Sequence, residues 1–252
     1  HASHGNHNAG ILFGHCTGTG TYNITGSIAG ENAYLQTIYK AGTQEINVNG
    51  GRISVKGLYA SNTGSTINIS NGGLVEVSKA PGSGKNSNNV STPSAGIAFN
   101  LGYGTYRQKG TGDASAVGTM TFTGTEAEPT TLDPYGATTT VSSMAGSGYI
   151  TVSDSSAGGG GKVRFTATGT GSLPTHVILT DDNAANIEFD GYAGRVLLRG
   201  TAAATIAKLD GFTGVVIIDQ AGTYDARSVD LSGATVQVGE NGGRAPPVFI
   251  AT

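Results

Sequence analysis

Charge is scarce in this chain. Asp, Glu, Lys and Arg make up 12% of its 252 residues, against about 25% in an average protein, and the formal net charge is −3. A basic nucleic-acid-binding surface and an acidic solubilising tail are both excluded, so no nucleic-acid partner is expected. Cysteine is rarer still. Cys16 is the only one, so no intrachain disulfide can form and the chain is not a small secreted scaffold held by bridges. No apolar run approaches the roughly 18 residues that span a bilayer as a helix, so no membrane span is expected. The sequence opens HASHGNHNAG with no initiator Met and no signal peptide, as if a preceding segment had been removed, and secretion is the expectation.

Glycine is abundant instead, at 42 residues, and hydrophobic residues reach 37%. That apolar share is enough to offset chain entropy and build a folded core. Thr, Ser, Asn and Gly stand where helix formers would, which lowers helix propensity along the whole length and predicts an all-β fold. Low charge, little sulfur and plentiful Thr, Asn and Gly look like a bacterial or archaeal surface protein, so an extracellular or cell-surface location is expected.

A period emerges in the C-terminal third. In blocks of twenty the chain reads THVILTDDNAANIEFDGYAG from Thr175, RVLLRGTAAATIAKLDGFTG from Arg195, VVIIDQAGTYDARSVDLSGA from Val215 and TVQVGENGG from Thr235. Val196, Val216 and Val236 align, as do Ile178, Leu198, Ile218 and Val238, and then Asp190, Asp210 and Asp230. About twenty residues suffice for one closed coil of two or three short strands, and coils stacked ~4.8 Å apart pair in parallel. A second repeat aligns Asn49-Gly50-Gly51 with Asn71-Gly72-Gly73, and Ile53 and Val55 with Val75 and Val77. Asn-Gly and Gly-Gly supply the positive φ of a corner, and the alternation after them is that of a half-buried strand. Further strands are predicted at Thr119 to Thr123, Tyr149 to Ser153 and Lys162 to Thr168. The polar stretches near Ala80, Gly124 and Ser153 read as loops. ENAYLQTIYKA from Glu31 is the only helix candidate.

The Asn-Gly-Gly corners and the stacked coils, over Glu45 to Ser78 and Thr175 to Gly239, resemble parallel β-helix surface proteins of the autotransporter-passenger and filamentous-haemagglutinin-like group. The resemblance implies an adhesive or structural role outside the cell and carries no catalytic residues over. The expected fold is therefore a parallel β-helix, or β-solenoid, with long Gly/Ser/Thr-rich loop insertions. A β-sandwich is the alternative for the N-terminal part. The division expected is an N-terminal extension over residues 1–22 that is a candidate exchanged strand, a β-rich region with insertions over 23–170, and solenoid coils with a C-terminal strand over 171–252.

Asp190, Asp210 and Asp230 would stack like charges ~5 Å apart unless something compensates. Either each carboxylate accepts backbone N–H groups at its corner, which is the expected case, or the column shares a cation such as calcium and is a metal site. His1, His4, His7 and His15 beside Cys16 are transition-metal ligand types, but in a Gly/Asn-rich tail that fixes no geometry they read as an exposed segment. APGSGKNS at Ala80 lacks the residues of a phosphate-binding loop. His176 has Asp181 and Asp182 nearby but no G-x-S-x-G elbow accompanies them. Asn23, Asn68 and Asn89 begin N-x-S/T sequons. No catalytic residue and no cofactor is expected.

In a solenoid strand alternate side chains face out. With Val196 and Leu198 inward, the outward column is Val177, Leu197 and Ile217, an apolar stripe for a loop of the same chain or another subunit to cover. Ile11, Leu12 and Phe13 near one end, and Val248, Phe249 and Ile250 near the other, suit strand addition to a neighbour. The leading expectation is a secreted structural subunit, not an enzyme, that forms a homo-oligomer or filament through Ile11, Leu12, Phe13, Leu197, Ile217, Val248, Phe249 and Ile250. One rival is an adhesin that contacts glycan through Tyr103 and Tyr106. Another is a polysaccharide-degrading β-helix enzyme centred on Asp181, Asp182 and Asp190.

Overall fold

The computed structural model describes residues 10–13, 20–37, 43–60, 64–79, 97–116, 118–168, 175–239 and 246–251. The histidines at 1, 4, 7 and 15, Cys16, Asn89 and the Lys85 loop lie outside them. The chain winds as a parallel β-solenoid with very little helix. One sheet of eleven strands runs from end to end in chain order. Its strands are Gly10–Phe13, Ser27–Thr37, Arg52–Ala60, Gly73–Val77, Gly104–Gln108, Thr130–Asp133, Tyr149–Val152, His176–Leu179, Arg195–Leu198, Val215–Ile218 and Thr235–Val238. A six-stranded sheet lines a second side, from Gly20–Ile24 through Gln44–Asn49, Ser65–Ser70, Ile97–Leu101 and Met120–Phe122 to Met144–Ala145. A four-stranded sheet is made by Gly112–Asp113, Thr138–Val141, Lys162–Phe165 and Ile187–Phe189, and Thr223–Asp225 pairs with Val248–Ile250. Among the described residues no helix is long and apolar enough to cross a membrane.

The long sheet continues from coil to coil through residues 23–170, so the described residues of that region are coiled like the C-terminal third and form no sandwich. Parallel strands need a crossover, and each coil supplies it with the strands of the other sides.

The Asn-Gly-Gly alignment matches the observed register, in which Ile53 pairs with Val75 and Val55 with Val77. All four are buried. The twenty-residue alignment slips at its first coil. Val177, Ile178 and Leu179 pair with Val196, Leu197 and Leu198, so Leu179, and not Ile178, lies beside Leu198.

Two other expectations are corrected. Glu31 lies within the strand Ser27–Thr37, not a helix, and this strand pairs with Arg52–Ala60 across a register shift between Gly30 and Tyr34. Lateral pairing outweighs the weak helical spacing of Tyr34, Leu35 and Ile38. The segment after Gly124 is no simple loop, because the β-branched runs at Thr130–Asp133 and Thr138–Val141 both form strands. The corner between them holds Tyr135 at φ 43° and Gly136 at φ 78°.

Like side chains stack along the axis. On the outer side of the six-stranded sheet, Nδ2 of Asn47 donates to Oδ1 of Asn23 at 3.0 Å. Asn68 donates in the same way to Asn47 at 2.6 Å, and Asn100 to Asn68 at 2.7 Å. Asn68 also donates to Glu45 at 3.1 Å. Inside the stack, Phe165, Phe189, Tyr192 and Phe212 form a run of rings with neighbouring centroids 5.5–6.2 Å apart, a geometry that adds to their burial.

Asn68 sits mid-ladder as donor and acceptor at once. Asn68→Ala is expected to cost about 1–2 kcal/mol, read as a lower urea midpoint at unchanged m-value. Asn23→Ala at the ladder's end removes one bond and should cost less, so equal losses would show that the ladder does not carry the effect.

Candidate functional site

At both ends of the stack the inward-facing columns come out into the open. Val177, Val196 and Val216 are fully buried in register, and Val236, the next in the column, is only half-buried. Ile218 is buried, whereas Val238 beside it is 50% exposed. Leu231, Ala234 and Phe249 are also half-buried there. At the other end Tyr22 and Ile24 are half-buried although their register partners Ile46 and Val48 are fully buried, and Ile28 stands in the same relation to Ile53. A coil buries its apolar face only against a coil on each side, and among the described residues Ile24, Ile28, Val236 and Val238 lack one. No family model, curated protein or solved structure matches the chain.

Near the C-terminal end, Val248–Ile250 pairs in parallel with Thr223–Asp225 of its own chain, setting Phe249 beside the buried Tyr224. Val248 is exposed, and Phe249 and Ile250 are half-buried. Gly10–Phe13, the strand of Ile11, Leu12 and Phe13, is the first strand of the long sheet and pairs with Tyr34 to Thr37.

The outward apolar stripe needs correcting. Val177 points into the core, and the outward column is Ile178, Leu197 and Ile217. Leu197 is only 2% exposed and Ile178 is buried within the single chain, while Ile217 is half-buried. Arg199, just past Leu197, donates to Glu126 of a distant corner and to Asp219 at 3.2 Å.

Of the tyrosines, Tyr103 is 46% exposed at a corner. Tyr106 is buried, edge-on to Phe99 with its hydroxyl 3.1 Å from Oε1 of Gln108, and it cannot meet a glycan. The alternation that buries Gly104, Tyr106 and Gln108 on one face of their strand is the reason. Tyr135, unmarked in the sequence, is 36% exposed, with Arg107 and Lys109 5.2 and 4.8 Å from its ring centroid.

The acidic groups mostly hold backbone. Oδ1 of Asp210 accepts the N–H of Asp230 at 2.8 Å, and Oδ1 of Asp230 accepts that of Ser232 at 3.0 Å. Among the described residues no three His, Cys, Asp or Glu side chains gather in a group able to hold a metal, so the column of Asp190, Asp210 and Asp230 is not brought together as one. Asp181 accepts the Thr205 hydroxyl at 2.6 Å and the N–H groups of Thr201 and Ala202, which lower its pKa. Its neighbour Asp182 lines a polar cleft of about 360 Å³ with Asp154, Asn183 and Asn186. Asp154 in turn accepts N–H groups of Gly136, Ser156 and Gly161. Asp190 is exposed at a corner. His176 stacks on Tyr149 with centroids 4.5 Å apart, and burial and the nearby Arg195 lower its pKa. Asp181 therefore anchors the next coil and does not orient His176.

The strongest electrostatic feature escaped the sequence. Glu76 faces outward from its strand, yet its side chain is only 3% exposed. Its carboxylate accepts from Ser54 at 2.6 Å, Arg107 at 2.9 Å, Lys109 at 3.0 Å and Arg52 at 3.3 Å. Arg107 continues to Asp133 at 2.7 Å, which also accepts the Ser155 hydroxyl. Burial pushes the Glu76 pKa up, but the hydrogen bonds from Ser54, Arg107 and Lys109 outweigh it and bring the group down to about 2. Ser54, Glu76, Arg107 and Asp133 share one register column, and an alternating-charge column was the signal available.

Proposed function

We propose that this protein is an extracellular structural subunit that assembles end to end into a fibre or coat. The observation that carries the reading is the loss of burial along single columns, from fully buried Ile218 to half-exposed Val238 at one end and from fully buried Ile53 to half-buried Ile28 at the other. Two unfinished faces on opposite ends of one parallel sheet are complementary, and head-to-tail addition that does not close gives a filament. Acidic residues engaged with backbone N–H groups fit a structural role better than hydrolysis. The same role is the one implied by the likeness to autotransporter-passenger and filamentous-haemagglutinin-like proteins.

Electron microscopy and sedimentation of the purified chain test the reading. Filaments are expected for the unaltered protein, with assembly reduced at least tenfold by Val238→Asp while the circular dichroism spectrum is kept. A chain that sediments as a folded monomer at every concentration overturns it.

A second reading, glycan adhesion, is favoured by the exposed ring of Tyr103, since sugars stack on open aromatic faces. Binding on a glycan array that Tyr103→Ala leaves intact would exclude this ring as the contact.

A further inference from the structure

Resting on the end-to-end reading, we infer that the last strand of one copy, Thr235–Val238, lies in parallel against the bare half of the strand Ser27–Thr37 in the next, with Val238 beside Ile28 and Val236 over Gly26. Gly10–Phe13 pairs only with Tyr34 to Thr37 of that strand. Its first half, Ser27 to Gly30, pairs with Arg52 to Val55 on one side and, among the described residues, with nothing on the other.

Three glycines mark the vacant place. Ser27 pairs with Arg52 and Arg52 with Leu74, so Gly26, Gly51 and Gly73, each one residue earlier, share a column. At Gly51 and Gly73 the coil before presses so close that a Cβ would stand 2.4 and 2.2 Å from the carbonyl oxygens of Ile24 and Val48. At Gly26 a Cβ meets nothing within 4 Å among the described residues. The first coil thus has the same recess with which the next two receive the backbone of a preceding coil, and a second copy ends in such a coil.

The sheet's own register fixes the fit. Followed strand by strand, the column of Val238 runs through Ile218, Leu132, Tyr106 and Ile53 to Ile28. Repeating that register across the joint sets Val238, 50% exposed, against half-buried Ile28, and Gln237 against Ser27. Backbone groups match too. Within the stack the N–H of Arg52 donates to Gly26 at 2.8 Å, that of Leu74 to Gly51 at 2.9 Å and that of Gly239 to Ile218 at 2.9 Å. In the same pattern Ser27 donates to Val236, and Ala29 to Val238, of the neighbouring copy.

Gly26→Ala separates the joint from the fold. Its melting midpoint in dilute, monomeric solution is expected to match that of the unaltered chain, while the mass of filament sedimented falls at least tenfold. Paired cysteines read the register in the full chain, with Cys16→Ser removing the native thiol. Ser27 and Gln237 are exposed and lie nine strand spacings apart in one molecule, roughly 43 Å, so a bond between them links two copies. Ser27→Cys combined with Gln237→Cys is expected to give, on mild oxidation, a ladder of dimers, trimers and larger species under denaturing, non-reducing conditions, while either change alone gives nothing beyond a dimer. Ser27→Cys with Thr235→Cys is shifted by two residues and falls beyond the ~7 Å Cα limit for a disulfide, so it should give at least tenfold less ladder. A lowered midpoint for Gly26→Ala, filaments that survive it, or filaments of the unaltered chain with no ladder from the first cysteine pair or equal ladders from both, overturn this joint and leave the end-to-end reading standing. Absence of filaments from the unaltered chain overturns that reading itself.

Discussion

Replacing Glu76 with alanine is expected to lower stability by about 3–5 kcal/mol, the usual cost of removing one partner from a buried ion pair. The carboxylate is the meeting point of Ser54, Arg107, Lys109 and Arg52. Without it a buried hydroxyl loses its acceptor and Arg107 is left to Asp133 alone. The pH dependence gives an independent check. Glu76 falls from an ordinary 4.5 to about 2 on folding, so the unfolded chain takes up its proton first as the solution is acidified. The group's contribution, about 3 kcal/mol, is complete above pH 4.5 and is lost as the pH falls towards 2. Denaturant midpoints measured across that range should fall steeply for the unaltered protein and less steeply for Glu76→Gln. Parallel curves for the two proteins would remove Glu76 from the account.

Gly73→Ala is expected to be comparably damaging, at about 3 kcal/mol or more. The second glycine of each Asn-Gly-Gly corner lies against the coil before it. A Cβ on Gly73 would come within 2.2 Å of the Val48 carbonyl oxygen, and one on Gly51 within 2.4 Å of that of Ile24. Val48 and Ile24 are themselves register partners, so the same close approach recurs from coil to coil, and the obstacle is backbone that cannot swing aside. Gly158→Ala provides the contrast, because a Cβ there meets nothing within 4 Å, and its effect should stay within about 0.5 kcal/mol. Thermal melts of the two variants decide the matter, and a Gly73→Ala protein that melts with the unaltered one would refute the close packing.

These corners were also the most legible part of the sequence. Asn49-Gly50-Gly51 and Asn71-Gly72-Gly73 mark a turn by local chemistry alone, with Gly50 and Gly72 at φ 67° and 77°, and the alternation after them fixes which face is buried. The C-terminal coils were legible in kind but not in register. Nineteen residues separate His176 from Arg195, whereas twenty separate Arg195 from Val215. A constant period therefore slips by one at the first coil, and a slip of one exchanges the two faces of a strand. Val177 was turned outward for that reason. Tyr106 was misplaced because Tyr103, three residues before it, lies on a corner where alternation has not begun. Glu76 was within reach only in part: the Asn-Gly-Gly alignment already sets Ser54 opposite it, whereas Arg107, 31 residues on, lies outside that repeat and only the winding brings it to the carboxylate.

The hydrogen bonds of the long sheet lie along its stacking axis, and this governs how the molecule answers force. A pull along that axis loads the bonds in series, so the outermost layer gives way while those behind it stay closed. Each layer of about 20 residues pays out roughly 70 Å of chain as it peels. Under tension such a molecule yields stepwise at modest force and lengthens many times over, dissipating work as a shock absorber does.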